Sequence, residues 1–259
     1  MISIYSPDHA LHDPPFEFLD GALVPVFESP RRAEIISAAI VRAGLGPLVT
    51  PRSFGLEPIR AVHSDEYLAY LEHIYDQWVA AGGAPESVMP GTLAVRWMER
   101  PCPNPIATPG YYCFDLSAPI VAGTYAAARA AANVALTGAA LLQQGQRAAY
   151  ALCRPPGHHA GRDLYGGYCY LNNAAIAAQA LLAGNWWQGN TAPRRVAILD
   201  IDYHHGNGTQ QIFYERDDVL FVSIHADPAR QYPYFAGYAD ECGAGAGSGY
   251  NLNIPLEAD

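Results

Sequence analysis

Short apolar runs alternate along this chain with longer segments whose apolar positions recur at helical spacing. Met1–Tyr5 reads as a first short strand. Pro30–Ala43 has a helical apolar pattern, with Pro30 at its opening and Gly44 to end it. Ser64–Ala80 predicts a second amphipathic helix, capped by Ser64 with Asp65 and Glu66 in its first turn. Ala118–Gln144 is Ala-rich and helical, and the strand Ala148–Leu152 follows it. Asn172–Ala183 predicts a helix, Trp186–Pro193 a turn and Val196–Leu199 a strand. Thr209–Arg216 predicts a short helix, Val219–Ile224 a strand and Tyr250–Pro255 an extended segment. Such alternation predicts one α/β domain over 1–259 with a mostly parallel sheet. Residues 84–108, rich in Pro and Gly and carrying Arg96, Trp97 and Met98, are too long for a routine connector. They are expected to form an ordered functional loop or an interface element.

Candidate chemistry gathers at two strand ends. Asp200-Ile201-Asp202-Tyr203-His204-His205 follows the run Val196–Leu199 directly. Alternation along an extended chain would bring Asp200, Asp202 and His204 to one side. Two carboxylates and an imidazole suit a divalent borderline metal such as zinc, and open α/β sheets place ligands at carboxyl strand ends. A polar, solvated strand end is the competing reading. The second cluster, His158 and His159, lies in a Pro- and Gly-rich loop after Ala148–Leu152. Adjacent imidazoles can divide base and acid roles when neighbouring groups hold their pKa values apart. Alone, such a pair reads better as a surface pair in a turn. The interval between the clusters is about one helix and one strand, the size of a βαβ unit that puts both ends on the same side. Gly243–Gly249 lacks the strand before and helix after that a phosphate cradle needs, so nucleotide binding is rejected.

Composition narrows the class. Half of the residues are apolar, enough for a sizeable core, and no run of eighteen or more apolar residues suggests a membrane span. Met1–Tyr5 lacks a secretory pattern, so a cytoplasmic location is expected. Five cysteines without a CxxC pair argue for reduced thiols. The excess of 25 acidic over 15 basic residues repels nucleic acid and favours cationic ligands, although solubility alone accounts for it equally well.

Three motifs carry a family resemblance: Arg154-Pro155-Pro156-Gly157-His158-His159, then Gly167 to Asn173, then Asp200 to Gln210. In this order the chain resembles the zinc-dependent histone deacetylase superfamily, most closely its bacterial acetylpolyamine amidohydrolase group. The resemblance also takes in Ser6 to His9, Leu23 to Pro25, Gly110 to Cys113 and Phe221 to His225, and so spans essentially the whole chain.

The resemblance implies a doubly wound, arginase/deacetylase-like sheet with helices on both faces. It implies zinc-dependent removal of acetyl groups from acetylated polyamines or similar small cationic amides. Asp202 and His204 would be zinc ligands, and His158 and His159 the imidazoles that activate water and protonate the leaving amine. Asp200 would orient His158, and Asn207, where histone deacetylases carry aspartate, would orient His159. Gly167, Tyr168 and Tyr232 would wall a narrow tunnel, packing aromatics being the plainer reading of the two tyrosines. Glu17 would face the ammonium end of the substrate, a solvated loop residue being equally plausible. Potassium would bind at Asp200, Asp202, His204, Ser223 and Ile224, and again at Phe213, Arg216, Val219 and Tyr250. A homodimer would form, with residues 84–108 packing across its axis.

The family also uses a third zinc ligand and a carbonyl-polarising tyrosine. No residue here matches them, because Asp227, Asp240 and Asp259 follow no apolar strand as Asp202 does. The expectation is a chain missing its C-terminal part and inactive by itself. Other readings are an acetyl-lysine deacetylase, a non-catalytic acyl-amine binding module if the chain ends at Asp259, and a two-manganese ureohydrolase.

Overall fold

The computed structural model describes residues 1–184 and 194–257, so the turn predicted over Trp186–Pro193 and the carboxyl-terminal Asp259 lie outside the described residues. The strands, in chain order, are β1 (Ile2–Ile4), β2 (Glu17–Leu19), β3 (Ala22–Val24), β4 (Leu48–Val49), β5 (Ala149–Ala151), β6 (Val196–Asp200), β7 (Val219–Ala226) and β8 (Asn251–Leu256). The helices are α1 (Pro30–Arg42), α2 (Glu57–Arg60), α3 (Asp65–Ala80), α4 (Pro109–Tyr112), α5 (Thr124–Gln143), α6 (Asn173–Ala183) and α7 (Asn207–Phe213).

All six strands that carry the fold pair in parallel, which confirms the α/β reading. They form two trios, ordered β4-β1-β5 and β6-β7-β8, rather than one continuous hydrogen-bonded sheet. Among the described residues β5 and β6 do not pair. Between them runs a groove of about 700 Å³ lined by Ala149, Ala151, Ile198 and Leu199. Strand β6, apolar in sequence, is therefore half-open, with Leu199 63% exposed and Ile201 beyond it 76%. The antiparallel β2–β3 hairpin was not predicted. Its turn is Asp20-Gly21, both at positive φ, the backbone that a two-residue hairpin turn requires.

Local chemistry explains most helix boundaries. Ser64 caps α3 by accepting from the Tyr67 N–H, and Asn172 caps α6 by accepting from the Ala175 N–H. Helix α5 begins at Thr124, six residues later than predicted. The Ile120 N–H and carbonyl are committed to a bridge with Val88, and Thr124 Oγ1 accepts from the Val121 N–H. Helix α7 opens at Asn207 and closes at Phe213, ahead of its predicted limits, and the Tyr214 carbonyl accepts from Ala244 instead.

The core lies between α3, α5 and α6, where Leu71, Ile74, Leu136 and Ile176 are buried. Each such side chain contributes about 2 kcal/mol by leaving water. Tyrosines 67, 70, 165 and 170 pack into this core below the His loop, and the Tyr67 hydroxyl donates to the Tyr170 carbonyl at 2.7 Å. All five cysteines are free, and no described helix is long and apolar enough to cross a membrane. Residues 84–108 hold one strand-like bridge, at Val88, and expose Val95, Trp97 and Met98.

Candidate active site

The His loop leaves β5 and is fastened at its root by Arg154. This buried guanidinium donates to Glu28 Oε1 at 3.0 Å, to the Glu28 carbonyl at 3.1 Å and to the carbonyls of His9 and His12 at 2.5 and 2.7 Å. Four acceptors from two remote segments leave the loop little freedom. Burial raises the Glu28 carboxyl above its ordinary range, and the nearby Arg154 charge opposes the rise without cancelling it.

Four residues on, the two imidazoles reach separate partners. His158 Nδ1–H donates to Asp200 Oδ2 at 2.9 Å, and His159 Nδ1–H donates to Asn207 Oδ1 at 2.7 Å. Their ring centroids are 4.0 Å apart. Each orienting bond fixes a tautomer with Nε2 free. Burial, then the neighbouring His158, pushes His159 well below the usual imidazole value, and the Asn207 bond only partly resists. Burial opposes ionisation of Asp200, yet the hydrogen bond and charge of His158 hold it below its usual range.

Beyond β6 the chain does not stay extended, as strand alternation had suggested. Asp200 Oδ1 accepts from the Asp202 N–H at 3.0 Å, and Asp202 Oδ1 from the His204 N–H at 2.9 Å. These two side-chain turns, not the pleat, bring the three residues together. His204 Nδ1 lies 3.7 Å and His158 Nε2 3.9 Å from Asp202 Oδ1, both ion-pair distances rather than hydrogen bonds. Asp202 ionises far below the ordinary carboxylate range: its burial is outweighed by His204 and the His158 charge. Gly206 permits this approach, since a Cβ there would sit 2.4 Å from Asp200 Oδ2.

Asp202 and His204 offer an oxygen and a nitrogen toward the same cavity as His158 and His159. That donor pair fits two positions of a zinc site, and catalytic zinc ordinarily takes three protein ligands. Among the described residues no group of three or more His, Cys, Asp or Glu is arranged to hold a metal ion.

Gly167, Tyr168 and Tyr232 line this cavity of about 670 Å³. Gly167, at φ +52°, lies flat on the ring of His159, where a Cβ would come within 2.2 Å of Cδ2. The Tyr232 ring stands edge-on to His159 at 4.9 Å and to His204 at 5.6 Å. Glu17 is placed differently from the expectation. It is buried on β2, accepts from the Phe27 N–H and pairs with the Tyr168 hydroxyl, so it is neither a solvated loop residue nor part of the cavity wall. Ser223 is buried against His225, its Oγ 2.8 Å from Nδ1, and Ile224 follows it on β7. Phe213, Arg216, Val219 and Tyr250 lie around the α7–β7 junction, with Arg216 paired to Asp218 and stacked over Phe213.

Sequence reasoning missed Asp115, which also lines the cavity, and gave Arg154 no role. Both are lone residues whose partners are distant in the chain, and neither has a spacing signal.

The model of the Histone deacetylase domain matches residues 26–259. The chain belongs to the histone deacetylase family. Within the histone deacetylase family it is 51% identical over 259 residues to acetylpolyamine amidohydrolase 2 of Pseudomonas aeruginosa, spanning all of this chain and 73% of that protein. It is 47% identical over 254 residues to the acetylpolyamine amidohydrolase of Mycoplana ramosa, covering 98% of this chain and 72% of the relative. The crystal structure of acetylpolyamine aminohydrolase from Burkholderia pseudomallei superposes with a TM-score of 0.90 at 44% identity, over 99% of this chain and 72% of that one. This histone deacetylase relationship displaces the two-manganese ureohydrolase reading.

Proposed function

We propose that the protein is a zinc-dependent amidohydrolase that removes acetyl groups from acetylated polyamines or similar small cationic amides. One observation carries the reading: two oppositely partnered imidazoles stand beside Asp202 and His204 at the base of an aromatic-walled cavity. The names of the relatives at 51% and 47% identity point to the same substrates.

The chain's own residues divide the proton work. The carboxylate of Asp200 holds His158 by its Nδ1–H, which leaves Nε2 to take the proton of the attacking water. His159, its ring 4.0 Å from that of His158, relays that proton through its free Nε2 to the leaving amine, its neutral amide partner and buried site giving it little hold on the charge. Asp202 and His204 would hold zinc. Zinc, when bound, supplies Lewis-acid polarisation of the carbonyl and a lower pKa for water. Tyr168 and Tyr232 offer aromatic faces to a thin aliphatic linker, and the net charge of −10 favours a cation. A homodimer through residues 84–108, where Trp97 is 92% exposed, completes the proposal.

The test is a deacetylation panel on the zinc-supplemented full-length protein with N-acetylputrescine, N-acetylcadaverine, acetylspermidines and acetyl-lysine peptides. Turnover of the acetylpolyamines above the peptides is expected. Preference for peptides would make it a protein deacetylase, and binding without turnover an acyl-amine binding module. Light scattering on the same sample reads the dimer.

A further inference from the structure

We propose that Asp115 is a positioning residue that sets the width of the cavity beside His159 and His204, by clamping Gly167 and Tyr232 onto one carboxylate oxygen. The inference rests on the reading of this cavity as an acetyl-amide channel. Asp115 Oδ2 accepts from the Gly167 N–H at 2.9 Å and from the Tyr232 hydroxyl at 2.5 Å. Its Oδ1 accepts from the Ser117 N–H at 3.1 Å and the Ser117 hydroxyl at 3.0 Å, which fixes the carboxylate itself. One side chain thus joins segments 52 and 117 residues away.

Both clamped groups touch the proton-handling machinery. Gly167 lies on His159, and Tyr232 stands edge-on to His159 and His204 with Phe114 stacked behind it at 6.2 Å. The hydroxyl bond to Asp115 therefore sets how far the Tyr232 ring leans over the two histidines. Burial and the Asp115 charge push the Tyr232 phenol up, so it stays a donor. A carboxylate suits this place because two donors converge on one oxygen, and charge-assisted bonds are the strong ones.

Asp115→Asn preserves shape and the acceptor for Ser117 but turns the Oδ2 position into a donor that meets two donors. Tyr232→Phe removes one bond only. Amide exchange of residues 166–169 and steady-state kinetics are measured on zinc-supplemented full chain. Asp115→Asn should speed exchange of that segment about tenfold, the scale of one charge-assisted hydrogen bond, and Tyr232→Phe about threefold. Selectivity for N-acetylputrescine over a bulky acetyl-lysine amide should fall about tenfold in Asp115→Asn, carried by KM more than kcat. The double variant should add little to Asp115→Asn, because both changes break one linkage.

Unchanged exchange in Asp115→Asn overturns the clamp. So does a KM rise confined to cationic amides, with neutral N-acetylbutylamine unaffected and Tyr232→Phe silent, since Asp115 would then meet the cation directly. If Asp115→Asn does not fold, exchange in Tyr232→Phe decides alone, and wild-type rates there sink the proposal. Absence of turnover in the wild type counts against the proposed function, while the exchange result still decides the clamp.

Discussion

His158 and His159 differ by one position and by one atom of their partners, a carboxylate oxygen against an amide oxygen. If the roles follow the partners, His158→Ala and His159→Ala should each lower kcat by roughly 10²–10⁴-fold, the range for a positioned acid or base. Zinc content should hold in both, because neither imidazole is in the proposed ligand pair; metal analysis of the dialysed variants checks this. Loss of metal from either would reassign it as a ligand. These residues were legible because each stands in a dense motif, and two motifs one βαβ unit apart must meet at the same sheet end. The mode of meeting was not legible, since two side-chain turns bend Asp200 to His204 where the pleat had seemed sufficient. Asp115 carried no signal at all, because its meaning lies in partners 52 and 117 residues distant.

Elements show the same division between local and distant causes. Helices α1, α3 and α6 start where the sequence predicts: Pro30 opens α1, and the side chains of Ser64 and Asn172 cap α3 and α6. Helix α5 does not, because a bridge to Val88, far back in the chain, takes the backbone groups of Ile120. The β2–β3 hairpin escaped notice for another reason: its strands are three residues each, too short for alternation to register beside the Asp-Gly signal. Asn172 joins element to site. Besides capping α6, its Nδ2 donates to the Ala160 carbonyl and to Thr209 Oγ1, both at 3.0 Å, linking the His loop to α7. Asn172→Ala should therefore cost about 2–4 kcal/mol, a cap of about 1 plus buried groups left without partners. Chemical denaturation measures it, and a loss below about 1 kcal/mol would reduce Asn172 to a helix cap.

At the scale of the whole molecule, the core buries histidines as neutral groups. Burial, and then the nearby Arg154, lowers His12 to about 3, and burial lowers His63 to about 4. An unfolded chain takes up these protons near pH 6.5, whereas the folded chain refuses them until pH 4 or below. Between those limits the unfolded state holds up to two more protons from this pair, and His159 and His205, also lowered by burial, act in the same sense, so stability is complete above pH 6.5 and declines as pH falls. The slope from this pair is on the order of 2.7 kcal/mol per pH unit, enough to consume the stability of an ordinary domain within a few units. Asp200 and Asp202 lose their share only below the usual carboxylate range, so they do not explain a decline at pH 5. Glu17 and Glu28, raised by burial, act in the opposite sense, so slope alone is ambiguous and a variant is needed. His12→Asn keeps a polar partner near Thr124 Oγ1, which His12 Nδ1 meets at 3.0 Å, and removes one titrating group. Stability from urea unfolding between pH 4.5 and 7 should fall less steeply in that variant, by on the order of 1.4 kcal/mol per pH unit, the share of one proton. Parallel curves for the two proteins would show that His12 is not a source of the acid sensitivity.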